Sequence, residues 1–157
     1  MFNTIVWATD GSETADQALP FALALAEREQ ATLVVAHVRE LLSGRTGGLP
    51  VFADEDELLY KIEVQVEELR ESGVAATLQL ATSTSSSPAH LVAQIADDAG
   101  ADVIVVGTCG RRPFAGAFLG SVTQHLLHDA HCPVLAVPPL LTEKADEPER
   151  ELVEVAR

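Results

Sequence analysis

The sequence predicts a single α/β domain: a doubly wound, five-stranded parallel sheet of Rossmann-like type, flanked by about four helices. Two observations carry this expectation. Short runs rich in β-branched residues are apolar almost throughout, as strands buried on both faces are. Between them lie longer stretches whose apolar residues recur at helical spacing. Such alternation requires parallel neighbours joined by crossovers, and crossovers are almost always right-handed.

The elements follow in order. Thr4 to Thr9 (TIVWAT) reads as the first strand, and Ser12 as the N-cap of a helix running to about Glu29. Leu19, Ala22, Leu25 and Ala26 form its apolar stripe, while Pro20, having no N–H, is expected to kink the helix or shift its start. Ala31 to Val38 (ATLVVAHV) is the second strand. The glycine-rich stretch SGRTGGLPVFADE, residues 43–55, reads as a long loop and a candidate lid.

A second helix spans about Asp54 to Ser72. Asp54, Glu55 and Asp56 suit the positive end of its dipole, and Gly73 suits its C-terminal cap. Leu58, Leu59, Ile62, Val66 and Leu69 make its buried stripe. Val74 to Leu80 is the third strand. Ser87 and Pro88 then open a helix that reaches Gly100. Asp102 to Val106 (DVIVV), a helix from near Gly120 to near Ala130, and a strand from Pro133 to Val137 complete the pattern.

Composition limits the function classes. The chain has 157 residues, of which 47% are hydrophobic, enough for one sizeable core without disulfides or structural metal. Twenty-four acidic residues against ten basic ones give a formal charge of −14, which disfavours nucleic acid and anionic membrane surfaces as partners. The start MFNTIVWATDG lacks the basic and apolar regions of a secretory leader, and no run is long enough to span a bilayer. A cytoplasmic location is expected, with Cys109 and Cys132 as free thiols.

Ligands on doubly wound sheets bind beyond the carboxyl ends of the strands, where the winding reverses. The stretch GTCGRRPFAGAFLGSVT, residues 107–123, follows the buried DVIVV strand and is the candidate site. It contains neither G-x-x-x-x-G-K-[ST] nor G-x-G-x-x-G. Gly107, Gly110 and the Gly120-Ser121 pair still offer an anion close backbone approach, free N–H groups and a helix N-terminus, with Arg111 and Arg112 adding charge. By themselves the glycines serve turns and close packing equally well.

Other residues also bear on chemistry. Asp10 reads either as part of the helix-start pattern D-x-x-E or as a ligand group, and the two roles are compatible. His125, His128 and His131 lack a carboxylate or thiol partner at metal-ligand spacing, so they read as a solvated helix end and not a metal site. Cys109 is an ordinary loop residue or, beside a helix start and two arginines, a reactive thiol. No residue near the loop stands out as a catalytic base, so efficient phosphoryl transfer is not expected.

The full spacing G-x2-G-x9-G-[ST], with GSVT complete at 120–123, resembles the ATP-binding branch of the universal stress protein family. TIVWATDGSE is similar to that family's opening strand and turn, HV at 37–38 to the end of its second strand, and AHCPVLAVP to its closing strand. The resemblance covers residues 1–138 and leaves 139–157 as a charged tail. It implies a sheet of the HUP type, a homodimer formed through the last strand, and ATP lying across the ends of the first and fourth strands. The implied function is that of an ATP-binding stress-response regulator with at most slow hydrolysis. A cyclic AMP-binding protein and a nucleotide-free protein-interaction module are the alternatives.

Roles carry over residue by residue. Asp10 and Val38 would hold the adenosine end, Val38 through its backbone, while Gly107 and Thr108 line the ribose. Gly110, Gly120, Ser121, Val122 and Thr123 would cradle the phosphates, with the Ser121 and Thr123 hydroxyls donating to phosphate oxygens. Any Mg²⁺ would be held mainly by phosphates and water. Three positions depart from the family: Ala8, where proline is frequent; Trp7, a bulky choice that with Ala8 bears on how the base sits; and Cys109, where histidine is frequent.

Overall fold

A computed structural model describes residues 1–42, 49–50, 54–111 and 119–140. In chain order the elements are β1 (Thr4–Ala8), α1 (Glu13–Glu29), β2 (Thr32–Leu42), β3 (Leu49–Pro50), α2 (Glu55–Glu71), β4 (Ala76–Ser83), α3 (Pro88–Asp98), β5 (Val103–Gly107), α4 (Ser121–Asp129) and β6 (Val134–Val137). The five long strands form one parallel sheet, as the alternating pattern predicts, and their order is β4-β2-β1-β5-β6. The chain winds outward from β1 through β2 to β4, then returns to β5 on the other side of β1. Winding therefore reverses between β1 and β5, and the loops leaving those two strands diverge to open a crevice.

Alternation along the strands sorts the core into two layers. Ile5 and Trp7 of β1, Leu33 and Val35 of β2, and Val103 and Val105 of β5 pack with α1 and α2 through Ala18, Ala22, Leu58, Ile62 and Val66. The intervening Val6, Ala8, Val34, Ala36, Ile104 and Val106 face α3 and α4, meeting Ala89, Val92, Ala93 and Leu126. Both faces of the central strands are covered, which is why their sequences are apolar throughout.

The caps fall where their residues predict. Ser12 Oγ accepts the Ala15 N–H at 3.2 Å, and α1 starts at Glu13 and runs through Pro20 with no shift of its start. Pro20 lies on the exposed face, where water can reach the carbonyl that its missing N–H would have bonded. Gly73 adopts φ +94 just past α2, a left-handed conformation that costs a glycine little. Gln30 takes the same role after α1 at φ 55, which no glycine signals in the sequence.

Two strands run past their expected ends, β4 from Leu80 on to Ser83 and β2 as well. β2 continues past Val38 to Leu42, where Leu41 and Leu42 pair antiparallel with Pro50 and Leu49 of β3. Most of the candidate lid (43–48 and 51–53), Arg112 and the tail from 141 onward lie outside the described residues. Among the described residues no helix is long and apolar enough to cross a membrane.

The sheet is stapled at its amino end by Asp102, whose Oδ2 accepts the N–H groups of Asn3 at 2.6 Å and Thr4 at 3.0 Å. These bonds favour the carboxylate and hold its pKa below the ordinary 3.8. A depressed folded pKa means the stabilisation is present above the unfolded value and is lost as pH falls through the folded one. Asp102→Asn is therefore expected to lower the melting temperature at pH 7, with the gap to the parent closing as the pH drops below 3.8. Melting curves across pH 2 to 7 check this, and a gap independent of pH would contradict it.

Candidate functional site

A cleft of about 250 Å³ opens at the switch point, lined by the ends of β1, β2 and β5 and the start of α4. Its wall includes Asp10, Val38, Gly107, Gly110, Gly120, Ser121, Val122 and Thr123, so eight of the nine candidate binding residues meet there. Thr108 is the exception. It is 9% exposed and sits under the loop, where its carbonyl accepts the Gly120 N–H and its own N–H donates to Val137 O at 2.8 Å. It props the glycine loop and does not line the cleft.

The glycines are required by the fold as well as available to a ligand. A Cβ at Gly107 would stand 2.9 Å from the Thr14 carbonyl oxygen, so α1 can pack against the end of β5 only if that position is bare. A Cβ at Gly110 would meet Asp10 Oδ2 at 2.7 Å. That carboxylate bridges two loops: Oδ1 accepts the Ser12 N–H at 3.0 Å and Oδ2 the Arg111 N–H at 2.8 Å. Asp10 thus clasps the β1 loop to the glycine loop and lines the cleft, while the N-cap of α1 is Ser12, so the D-x-x-E pattern does not make Asp10 the helix cap.

Two of the predicted phosphate donors differ in kind. Thr123 is 2% exposed and its Oγ1 donates to Gly107 O at 2.8 Å. That bond engages its hydroxyl hydrogen, so Thr123 positions α4 on β5. Ser121 is exposed and is left as the side-chain donor. The N-cap of α4 is Gly120, which has no side chain to cap the first turn, so the leading N–H groups of 121–123 have no capping side chain. Trp7 lies outside this geometry; it is fully buried and its Nε1 donates to Ala15 O at 3.1 Å.

The feature least expected from sequence is a buried charge network on the β2 side of the cleft. Glu55, in the first turn of α2, and His37 of β2 are each 2% exposed. His37 Nδ1 lies 2.9 Å from the Thr9 carbonyl, which can only accept, so Nδ1 donates there. His37 Nε2 is 2.7 Å from Glu55 Oε1, and one proton is held between them. Glu55 Oε2 faces Arg111 Nη1 at 3.4 Å, and Arg39 Nε stands 3.9 Å from Oε1. Arg111 Nη2 also bonds Asp54.

A sequence signal for Glu55 existed. Leu58, Ile62, Val66 and Leu69 are buried at helical spacing, and extending that stripe one turn back lands on Glu55. A charged residue on an apolar stripe marks a buried, partnered group. Its neighbours Asp54 and Asp56 are exposed and made the three look alike.

Elsewhere, His131 Nδ1 meets Asp97 Oδ2 at 3.0 Å on the surface. Cys109 and Cys132 are both free thiols, and burial together with Asp97 pushes the Cys132 thiol up from 9.0. Among the described residues no cluster of three His, Cys, Asp or Glu has metal-binding geometry.

Removing His37 leaves the buried Glu55 Oε1 without its 2.7 Å hydrogen-bond partner, at about 1–3 kcal/mol. His37→Leu is expected to destabilise the protein by about that amount, and adding Glu55→Leu to recover part of it. Urea unfolding of the two variants checks the coupling, and additive losses would contradict it.

Comparison with known proteins agrees with this fold. A sequence model of the universal stress protein family matches residues 1–138. A universal stress protein encoded in the QAH/OAS sulfhydrylase 3′ region of Thermus aquaticus is 36% identical over 140 residues, covering 87% of this chain and 99% of its own. Universal stress protein YxiE of Bacillus subtilis is 36% identical over 150 residues, with the same coverages of 87% and 99%. The solved structure of MJ0577, a protein of Methanocaldococcus jannaschii, superposes with a TM-score of 0.67 at 26% identity, over 90% of this chain and 99% of that one. Two further structures share the fold, a universal stress protein in complex with cAMP (TM-score 0.62, 24% identity, covering 87% of this chain and 96% of that one) and the Archaeoglobus fulgidus protein in complex with dAMP (TM-score 0.61, 22% identity, covering 87% and 98%). The sheet order, the cleft at its switch point and the match across residues 1–138 together make the chain a member of the universal stress protein family.

Proposed function

We propose that the chain binds an adenine nucleotide, ATP foremost, in the cleft between β1 and β5, and serves as a cytoplasmic stress-response regulator. The observation that carries this reading is the first turn of α4: a helix N-terminus without a capping side chain, on residues that line a glycine-walled cleft. Unpartnered N–H groups and the positive end of a helix dipole suit phosphate oxygens. Ser121 adds a hydroxyl donor. Val38, at the other side of the cleft, offers its backbone to the base, and Asp10 holds the loop between. Nucleotide complexes of proteins with this fold support the choice of ligand class.

Mg²⁺ would arrive on the phosphates, since the cleft brings no set of three ligating side chains to one point among the described residues. Asp10 accepts the Ser12 and Arg111 N–H groups, and Glu55 is engaged by His37 on one oxygen and Arg111 on the other, so neither carboxyl group is poised as a base. Binding, with slow hydrolysis at most, is the activity that fits. Homodimerisation through β6 belongs to the same reading: that strand pairs with β5 on one side, and Leu135 on it is 38% exposed.

The test is isothermal titration with ATP and with cyclic AMP, on parent protein and on Ser121→Glu. The new carboxylate suits a helix N-terminus, so the melting temperature should hold or rise slightly, while it repels phosphate. ATP affinity is expected to fall at least about tenfold. Parent affinity in Ser121→Glu would remove the phosphate assignment. Tighter binding of cyclic AMP than ATP would change the ligand, and no heat with either would favour a protein-interaction module.

A second expectation concerns the scaffold of the cleft. Leu126 is fully buried on the inner face of α4, and Leu126→Ala should cost about 2–5 kcal/mol. Because α4 carries the phosphate-facing turn, the same variant should bind ATP more weakly. Unfolding and titration on one sample check both, and unchanged affinity in a destabilised variant would separate the helix from the site.

A further inference from the structure

We propose that Arg111 is a ligand-binding residue that reads the phosphate chain, exchanging Asp54 for a terminal phosphate of the nucleotide while keeping Glu55. The inference rests on the reading of the cleft as a nucleotide site. Arg111 follows Gly110 directly, lines the same cleft as Gly120 and Ser121, and is 13% exposed. Its backbone is fixed from below, where the Arg111 N–H donates to Asp10 Oδ2 at 2.8 Å. Its guanidinium reaches across to the start of α2, with Nη1 at 3.4 Å from Glu55 Oε2 and Nη2 on Asp54 Oδ1.

The two carboxylates hold the arginine with unequal strength, and their burial decides which one yields. Glu55 is 2% exposed, so withdrawing a cation from it would strand a charge away from water. Asp54 is 62% exposed, and its lost partner is replaced by water at little cost. Asp54 therefore occupies the guanidinium as a stand-in anion that an incoming phosphate displaces. A guanidinium has five N–H donors in a planar fork and is suited to phosphate, so Nη1 keeps Glu55 while Nη2 turns to the ligand.

This makes the affinity gain from Arg111 specific to ligands long enough to reach it. Adenosine leaves the Asp54 contact intact; a nucleoside triphosphate breaks it. Asp54 then acts as an internal competitor that sets the affinity of the phosphate end alone.

The experiment is titration of ATP and adenosine into the full chain and into Asp54→Asn, Asp56→Asn, Arg111→Gln and the pair Asp54→Asn with Arg111→Gln. Asp56 is 90% exposed and contacts Arg39, so Asp56→Asn removes the same charge two residues away without touching Arg111. Asp54→Asn is expected to tighten ATP about 2–5-fold and leave adenosine unchanged. Asp56→Asn should leave both near the parent. Arg111→Gln should weaken ATP about tenfold or more, with adenosine unchanged, and should abolish the gain from Asp54→Asn.

Equal gains in Asp54→Asn and Asp56→Asn, or a gain that survives Arg111→Gln, would reduce the effect to bulk charge and overturn the proposal. Asp54 is on the surface, so its variant answers the question even if Arg111→Gln unfolds. A parent that binds neither compound overturns the nucleotide reading and this one with it. A parent that binds both, with a ratio that neither Asp54→Asn nor Arg111→Gln moves, overturns the role of Arg111 alone.

Discussion

A carboxyl group with 2% of its surface exposed must find its polar partners inside the protein, and Glu55 finds them on two other segments. His37 comes from β2 and Arg111 from the glycine loop, and Arg39 approaches from further along β2. Satisfying one buried polar group therefore fixes the end of β2, the start of α2 and the loop after β5 relative to one another. Those are three walls of the cleft. An apolar residue at position 55 could pack as well, but it would not specify where the arginine of a glycine-rich loop should lie.

The loops at the switch point are held by polar contacts because apolar packing ends with the strands. Asp10 joins the β1 loop to the glycine loop, Thr108 accepts from Gly120, and Thr123 donates to Gly107. Each bond is modest by itself, of order 1 kcal/mol net. Together they place the first turn of α4 opposite the end of β1. The glycines permit these approaches, since a Cβ at 107 or 110 would collide with Thr14 or Asp10.

A chain of formal charge −14 can still offer an anion a favourable site. At physiological salt, charges beyond about 8 Å are largely screened, so an anion in the cleft responds chiefly to what surrounds it. Nearby are helix N–H groups, Ser121 and the guanidinium of Arg111. Of the three carboxylates that line the space, those of Asp10 and Glu55 already have donors, and Glu40 adds a negative charge that the N–H groups, Ser121 and Arg111 must outweigh. The acidic surface instead governs long-range behaviour, opposing nucleic acid and anionic membranes.

The sequence by itself determined the five parallel strands, the four helices, their order and the glycine loop that lines the cleft. Buried strands, helical stripes and the caps at Ser12, Gly73 and Ser87-Pro88 are written in residues close together in the chain. Local periodicity and local backbone preference are enough to read them. Only the tertiary structure decided which polar groups meet. Glu55 and Arg111 stand 56 positions apart, and His37 and Glu55 18 apart. Partners at such separations are chosen by sheet order, which brings β2, β1 and β5 side by side. For the same reason Thr108 and Thr123, adjacent to the glycine motif in sequence, turn inward to support it. A residue's type announces that it needs a partner, and the packing of distant segments settles which partner that is.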